Sequence, residues 1–312
     1  MDRLHTDRSK SGCNIKVFSF PLCLRASVAE LLSMIQTIEL SKNFGPLAAV
    51  KAVNLSIEKG EVFGLLGPNG AGKTTTIRML TTLTQPSSGT ALVGGHDILA
   101  DPIAVKRSIG VIPQLLNLDI DLTLAENLEY HGRLHRMERL DRASRTDELL
   151  KFVGLWEKRD TPVEHLSGGM RRRLLIARGL MHRPQVVFMD EPTVGLDPQA
   201  RHLIWELIED LKQSGITILL TTHYIEEADR LCDRVAIMQQ GKVVTLGAPA
   251  DLKALVGRYV AECHGRHDLR RQFRWTRDEA LDAGKGMGCN VTVRDVTLED
   301  VFIELTGERI DA

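Results

Sequence analysis

The segment Gly67-Pro68-Asn69-Gly70-Ala71-Gly72-Lys73-Thr74 constrains this chain more than any other, because it satisfies G-x-x-x-x-G-K-[ST] between an apolar run, EVFGLL, and a helical one, TTTIRML. Glycines let the backbone curl until successive N–H groups point inward at phosphate oxygens. The positive end of the following helix supports the same negative charge. Lys73 is then placed for β- and γ-phosphates and Thr74 for a magnesium ion, with Thr75 beside them as a further nucleotide-binding candidate. A glycine turn that only joined a strand to a helix would need neither the lysine nor the threonine.

The rest of the pattern extends this strand-loop-helix unit. IQTIEL and VKAVNLSIE alternate as half-buried strands, and IGVIP, VVFMD and ITILLTT are short apolar runs separated by helical patterns over residues 168–183 and 200–213. Such alternation predicts a parallel sheet covered by helices. Between Gln114 and Leu166 the runs AENLEYHGRLHRM and RTDELLKFVGL carry apolar residues at three-to-four spacing, so a helical insertion is expected over about residues 115–166. The main domain is expected over residues 34–250. Residues 251–312 read as a small α+β appendage with strands at RYVAEC and CNVTVRDV and a final helix capped by Thr297 and stopped by Gly307. Leu298, Val301, Phe302 and Leu305 form that helix's apolar face.

A carboxylate at the carboxyl end of a parallel strand faces the ligand crevice. Asp190, closing VVFMD, is therefore a candidate for the magnesium shell, and Glu191 is free to accept a proton from a water attacking the γ-phosphate. Away from a phosphate loop the same pair would read as a cap for the next segment.

Composition limits the partners. Lys plus Arg number 40 against 41 Asp plus Glu, a net charge of -1, so no nucleic-acid partner is expected. The 312 residues, 43% hydrophobic, suffice for a sizeable core but hold no apolar run of the roughly 20 residues that crosses a bilayer. The five cysteines are scattered without C-x-x-C spacing, which argues against a disulfide framework or zinc site and fits a reducing cytoplasm. Residues 1–33 read as a disordered or misassigned leader, with translation expected to start functionally at Met34. A signal peptide is disfavoured because no A-x-A-like site follows VFSFPLCL. The runs Arg171-Arg172-Arg173 and RHDLRRQFRWTRD read as solvated surface.

Leu166-Ser167-Gly168-Gly169-Met170 resembles the signature of the ABC ATPases, with methionine where many members have glutamine. IPQ with Gln114, VVFMDEPT, GLDP with Asp197 and LLTTH with His223 stand around it in that family's order and approximate spacing, and the resemblance covers about residues 35–247. It implies a P-loop NTPase core with an antiparallel β subdomain and a helical insertion. It also implies two copies paired head to tail, so that Ser167, Gly168, Gly169 and Met170 act on the partner's nucleotide and Asp197 communicates across the dimer. Gln114 would touch Mg²⁺ and the attacking water, His223 would contact the γ-phosphate, and Phe44 would stack on adenine, although an aromatic beside glycine can equally be local core. GPNGAGKTTTIRML, DPQARHLIWELI, EEADRLCDRVAIM and LEDVFIELTG look like the drug-resistance and nodulation-factor exporter branch. The expectation is therefore an ATP- and Mg²⁺-dependent ATPase at the cytoplasmic face of the membrane, driving efflux through a separate permease. A soluble ABC ATPase acting on ribosomes or DNA, a scaffold without turnover, and an importer are the alternatives.

Overall fold

Strands that are apolar on both faces must be covered on both faces, and the runs VFGLL, VVFMD and TILLTT dictate the centre of this molecule in that way. A computed structural model describes residues 33–264, 269–286 and 291–307; the expected leader, apart from Ser33, lies outside the described residues. The three runs become β3 (Val62–Leu66), β7 (Val186–Asp190) and β8 (Thr217–Thr222), every residue of which is buried. They form a six-stranded sheet with β6 (Ile109–Ile112), β9 (Arg234–Gln239) and β10 (Lys242–Gly247) in the order β10-β9-β3-β8-β7-β6. All neighbours are parallel except the β9–β10 hairpin.

Side chains alternate between two cores. Val62, Leu66, Val187, Met189, Ile218 and Leu220 face one apolar cluster, and Phe63, Leu65, Val186, Phe188 and Leu219 face the other. The first is closed by helices α3 (Leu124–Leu134), α4 (Arg139–Phe152), α5 (Gly168–Gly179) and α6 (Pro198–Gln213), of which α3 and α4 form the expected helical insertion. The second is closed by α1 (Lys73–Leu80), α2 (Pro102–Ser108) and a four-stranded sheet in the order β2-β1-β4-β5. In that sheet β1 (Ser33–Phe44) and β4 (Ser88–Val93) are antiparallel, as are β4 and β5 (His96–Asp97), while β2 (Leu47–Glu58) lies on the outer side of β1. No helix among the described residues is long and apolar enough to cross a membrane.

The β9–β10 turn fixes the phosphate loop from behind. Gln240 and Gly241 both have positive φ, as a two-residue type I′ turn requires. Gly241 N–H donates to Ala71 O at 3.0 Å, and its carbonyl accepts from Lys51 N–H at 2.8 Å. A Cβ at Gly241 would lie 2.7 Å from Ala49 O, and one at Gly72 would lie 2.6 Å from the same oxygen, so two backbones converge on one carbonyl where only glycine fits.

In the C-terminal part, β11 (Tyr259–His264) is the central strand between β12 (Leu269–Arg274) and β13 (Val291–Asp295). A helix, α9 (Arg277–Lys285), packs on this sheet after α7 (Ile225–Leu231) and α8 (Pro249–Ala254) have followed the main sheet. The last helix, α10 (Leu298–Thr306), starts on Thr297 in a capping box with Asp300 and ends at left-handed Gly307, as its sequence predicts. Leu298, Val301 and Phe302 are fully buried in the first apolar cluster, and Leu305 is instead exposed.

Two expectations are corrected here. The run RHDLRRQFRWTRD, of which residues 266–268 lie outside the described residues, is not all solvated surface: Arg271 donates to Glu262 at 2.8 Å and lies 3.7 Å from the buried Asp300. Arg294, from β13, completes the cluster with bonds to both acids. These opposite charges explain how Arg271 can lie within a sheet strand that alternation alone does not reveal. Cys263 is disulfide-bonded, against the expectation of free thiols, whereas Cys232 is free and buried.

Removal of the Phe302 ring from its fully buried position leaves a cavity, and Phe302→Ala is expected to lower the stability of the full chain by about 3–5 kcal/mol. Urea denaturation checks this; an unchanged midpoint would show that α10 packs on nothing essential. The acid cluster has its own signature. Burial raises the Asp300 and Glu262 carboxyls, but the hydrogen bonds from Arg294, with Arg271 adding to Glu262, outweigh it and hold both below the usual range. Their contribution is thus fully present above the unfolded carboxylate values, about 4, and is lost as pH falls through the lower folded values. The stability gap between wild type and Arg294→Gln should be flat near neutrality and close at acid pH; a gap that widens on acidification would contradict the assignment.

Candidate functional site

The phosphate loop forms one wall of an open cleft of about 290 Å³, completed by Phe44, Leu47, Ala49, residues 69–75, Gln114 and Glu191. Phe44 is 51% exposed at this cleft and so is not part of the local core. Gly72 is the left-handed residue from which α1 starts. Lys73 is buried, and its ammonium donates to the carbonyls of Gly67 at 2.7 Å and Pro68 at 3.1 Å while lying 3.7 Å from Glu191. Burial pulls its pKa down, and the charges of Glu191 and Asp190 push it back up. An ammonium held by two neutral carbonyls is available to a phosphate, which binds it more strongly.

The end of β7 supplies the acids. Thr74 Oγ1 donates to Asp190 Oδ1 at 3.1 Å, and Thr221 Oγ1, from β8, donates to the same oxygen. A hydroxyl and a carboxylate side by side are the hard oxygen donors that Mg²⁺ prefers, so these two residues fit the ion. Gln114 does not touch them: its Nε2 donates to Glu191 Oε2 at 3.0 Å. His223 Nδ1 stands 3.2 Å from the other Glu191 oxygen. Glu191 therefore carries a partner on each carboxylate oxygen, and its own backbone is left-handed, with φ at +48° and its N–H donated to Thr221. A non-glycine residue held there costs of order 1–3 kcal/mol, which neighbouring contacts must offset.

Ser167, Gly168, Gly169, Met170 and Asp197 lie apart from the residues lining this cleft. Ser167 caps α5 through Met170 N–H at 3.3 Å, and Asp197 caps α6 through Ala200 N–H at 2.9 Å. The two helix starts touch: a Cβ on Gly169 would come 2.8 Å from the Ala200 Cβ, whereas Gly168 faces open space. Two positive helix ends thus adjoin one exposed surface.

Arginine placement corrects the sequence reading. Arg172 is 3% exposed, not part of a solvated face. Its guanidinium donates to Pro113 O at 2.6 Å and to the carbonyls of Gln114, Asp190, Glu191 and Pro192. Burial lowers its pKa to about 10, with Glu227, Asp190 and Glu191 opposing, so it stays charged at neutral pH. Arg171 and Arg173 do reach outward, though each also holds backbone carbonyls of the insertion. Glu227, which no sequence pattern singles out, is fully buried and accepts from Thr193 at 2.9 Å and from Trp205 at 3.3 Å, tying α7 to the segment after Glu191. The paired threonines of LLTTH, polar at the end of an apolar strand, were the available hint of Thr221.

Residues 50–194 match the ABC transporter family. Nod factor export ATP-binding protein I of Cupriavidus metallidurans is 41% identical over 302 residues, covering 90% of this chain and 99% of its own. The linearmycin resistance ATP-binding protein LnrL of Bacillus subtilis is 42% identical over 72% of each chain. Among solved structures, the ATP-binding cassette MJ0796, dimeric and bound to ADP and Pi after hydrolysis, superimposes with a TM-score of 0.63 at 28% identity, covering 69% of this chain and 98% of that one. With the phosphate loop, the paired acids and the signature helix in place, and with this likeness extending along most of its length, the chain belongs to the ATP-binding subunits of ABC transporters, which are ATPases.

Proposed function

We propose that this chain is the ATP-hydrolysing motor of a membrane exporter, working as a head-to-tail pair of copies on the cytoplasmic face of the membrane beneath a separate permease. The observation that carries this reading is the position of Ser167, Gly168 and Gly169, outside the chain's own cleft but at an exposed pair of helix starts suited to an anion. A nucleotide held in the cleft of a second copy supplies that anion, and the dimeric relative solved with ADP and Pi supports the pairing. Export as the direction rests on the relatives named for Nod factor export and linearmycin resistance.

In this reading adenine stacks on Phe44, the loop N–H groups from Asn69 to Thr75 take the phosphates, and Lys73 leaves its two carbonyls for the β- and γ-phosphates. Thr74 and Asp190 hold Mg²⁺, which when bound neutralises charge on the phosphate oxygens. Glu191 accepts the proton of the attacking water while the terminal P–O bond breaks, and Gln114 and His223 hold its carboxylate in place through the contacts described above. Gln114 also begins the passage into the helical insertion. Leu115, 80% exposed, and Leu116 follow it on the surface where a permease helix docks. ATP closes the pair because its γ-phosphate is gripped from both copies; hydrolysis removes that differential contact and the pair reopens. Residues 34–250 carry this chemistry, and 251–312 adjust assembly.

Glu191→Gln should keep ATP binding and stall as a closed dimer, with turnover reduced about 10²–10⁴-fold. Steady-state ATPase rates and size-exclusion with ATP check both, and normal turnover would remove Glu191 from the role of base. Leu115→Asp with Leu116→Asp should weaken recruitment to native membranes, read by flotation, while nucleotide binding by the isolated chain persists. Full recruitment of that variant, or recovery of the wild type only with ribosomes or DNA, would sink the exporter reading.

A further inference from the structure

A second cleft, of about 430 Å³, runs between the helical insertion and the core, and three histidines meet in it. His131 and His135 lie one turn apart, on α3 and its C-cap, which places both on one face. His182 comes from the segment just after α5. The rings of His135 and His182 stack at 3.7 Å, His131 lies 4.8 Å from His135 and 6.2 Å from His182, and one ligand nitrogen from each residue falls within 4.8 Å of the other two. Among the described residues this is the one group of ligand-type side chains so clustered.

The tautomer of His182 is set by its surroundings. Nε2 stands 2.8 Å from Ile109 O, a pure acceptor, so Nε2 carries the proton and Nδ1 keeps a bare lone pair. That Nδ1 is buried and has no hydrogen-bond partner. A buried acceptor left without a partner is destabilising. An imidazole that donates through one nitrogen to a backbone carbonyl and leaves the other unpaired is held as metal-ligating histidines are held. Burial first, then the charges of His135, Arg178 and His182, keeps His131 down to about 3; burial and His135 keep His182 down to about 4.

We propose that His131, His135 and His182 form a three-imidazole site for a divalent transition metal, Zn²⁺, with a coordination position left open to the cleft. Nitrogen donors without a carboxylate select against Mg²⁺ and Ca²⁺. The His135 and His182 rings lie within 7° of parallel, so their in-plane lone pairs do not meet until one ring turns. Zinc–nitrogen bonds of about 2.0–2.1 Å place tetrahedral ligands roughly 3.4 Å apart, and binding therefore requires the His135 ring, at the helix end, to rotate out of the stack as the nitrogens close by about 1.4 Å at most. Arg178, anchored on Asn117, and Lys106 line the same cleft and favour an anionic fourth ligand, either hydroxide or a carboxylate. The site spans the insertion and the core, so metal there ties α3 to the end of α5. This inference does not depend on the transport reading.

The full chain, stripped with a chelator and dialysed, is titrated with Zn²⁺ against a competing indicator and, separately, with Co²⁺ followed by visible absorption. The wild type should take up one equivalent of Zn²⁺ at this site and give the intense ligand-field bands of four-coordinate, nitrogen-ligated cobalt. His182→Gln, and independently His135→Ala, should weaken that uptake by about 100-fold or more and abolish the bands, with ATP binding retained as evidence of folding. Equal uptake by wild type and both variants, or a wild type without the cobalt bands, would overturn the proposal.

Discussion

A guanidinium taken out of water loses several kcal/mol of hydration, and Arg172 recovers it only because backbone carbonyls from separate motifs point at one place. Pro113 and Gln114 arrive from the loop after β6, and Asp190, Glu191 and Pro192 arrive from the end of β7. The arginine itself stands on the helix that starts at Ser167. One buried cation therefore fixes the distance between the helix that starts at Ser167, the loop after β6 and the end of β7. Removing it would leave several carbonyls unpaired in the interior and free the very backbone that positions Glu191. Its charge is also the local counterweight to Asp190, Glu191 and Glu227, which keeps a crowd of acids compatible with burial.

The phosphate loop is held by an equally physical constraint from the other side. Gly72 and Gly241 approach Ala49 O so closely that no side chain fits at either position, and the backbone bonds of Gly241 to Ala71 and Lys51 lock the loop to the β9–β10 turn and to β2. Phe44, on the strand preceding β2, is thereby set across the cleft from Lys73 and Thr74 without any side-chain bond joining them. The central sheet does the rest, since its parallel strands deliver Asp190 and Thr221 at adjacent positions, Asp190 opposite Thr221 in the β7–β8 register.

The cleft between insertion and core combines features of different origin. Its floor is β6, whose Ile109 carbonyl orients His182; its walls are α3 and the stretch after α5. Gln114, bonded to Glu191, lies at the start of the segment leading into this region. The Glu191 carboxylate and the surface cleft are thus connected through a few residues of loop, the short physical route that coupling would need if Glu191 acts as proposed.

Local patterns were enough to determine the phosphate loop, the strands β3, β7 and β8, the insertion helices, the cap at Thr297 and the acids at Asp190 and Glu191, because each depends on spacing within a single element. The strands β4, β9, β10 and β12 and the helices α2 and α9 were not legible in the same way: β12 carries Arg271, which Glu262 and Asp300 make compatible with a sheet, and the β9–β10 turn pairs Gly241 with a left-handed Gln240, a residue with no turn preference. The order of motifs carried the family resemblance, yet Arg172 looked like one of three exposed cations until the fold placed five carbonyls around it. His131 and His135 fall within AENLEYHGRLHRM and His182 within the helical pattern over residues 168–183, and nothing in either run joins them. Whether a charge is buried, and whether ring nitrogens converge, depends on contacts between residues some fifty positions apart, and side-chain periodicity holds no information on that scale; only the tertiary structure decides it.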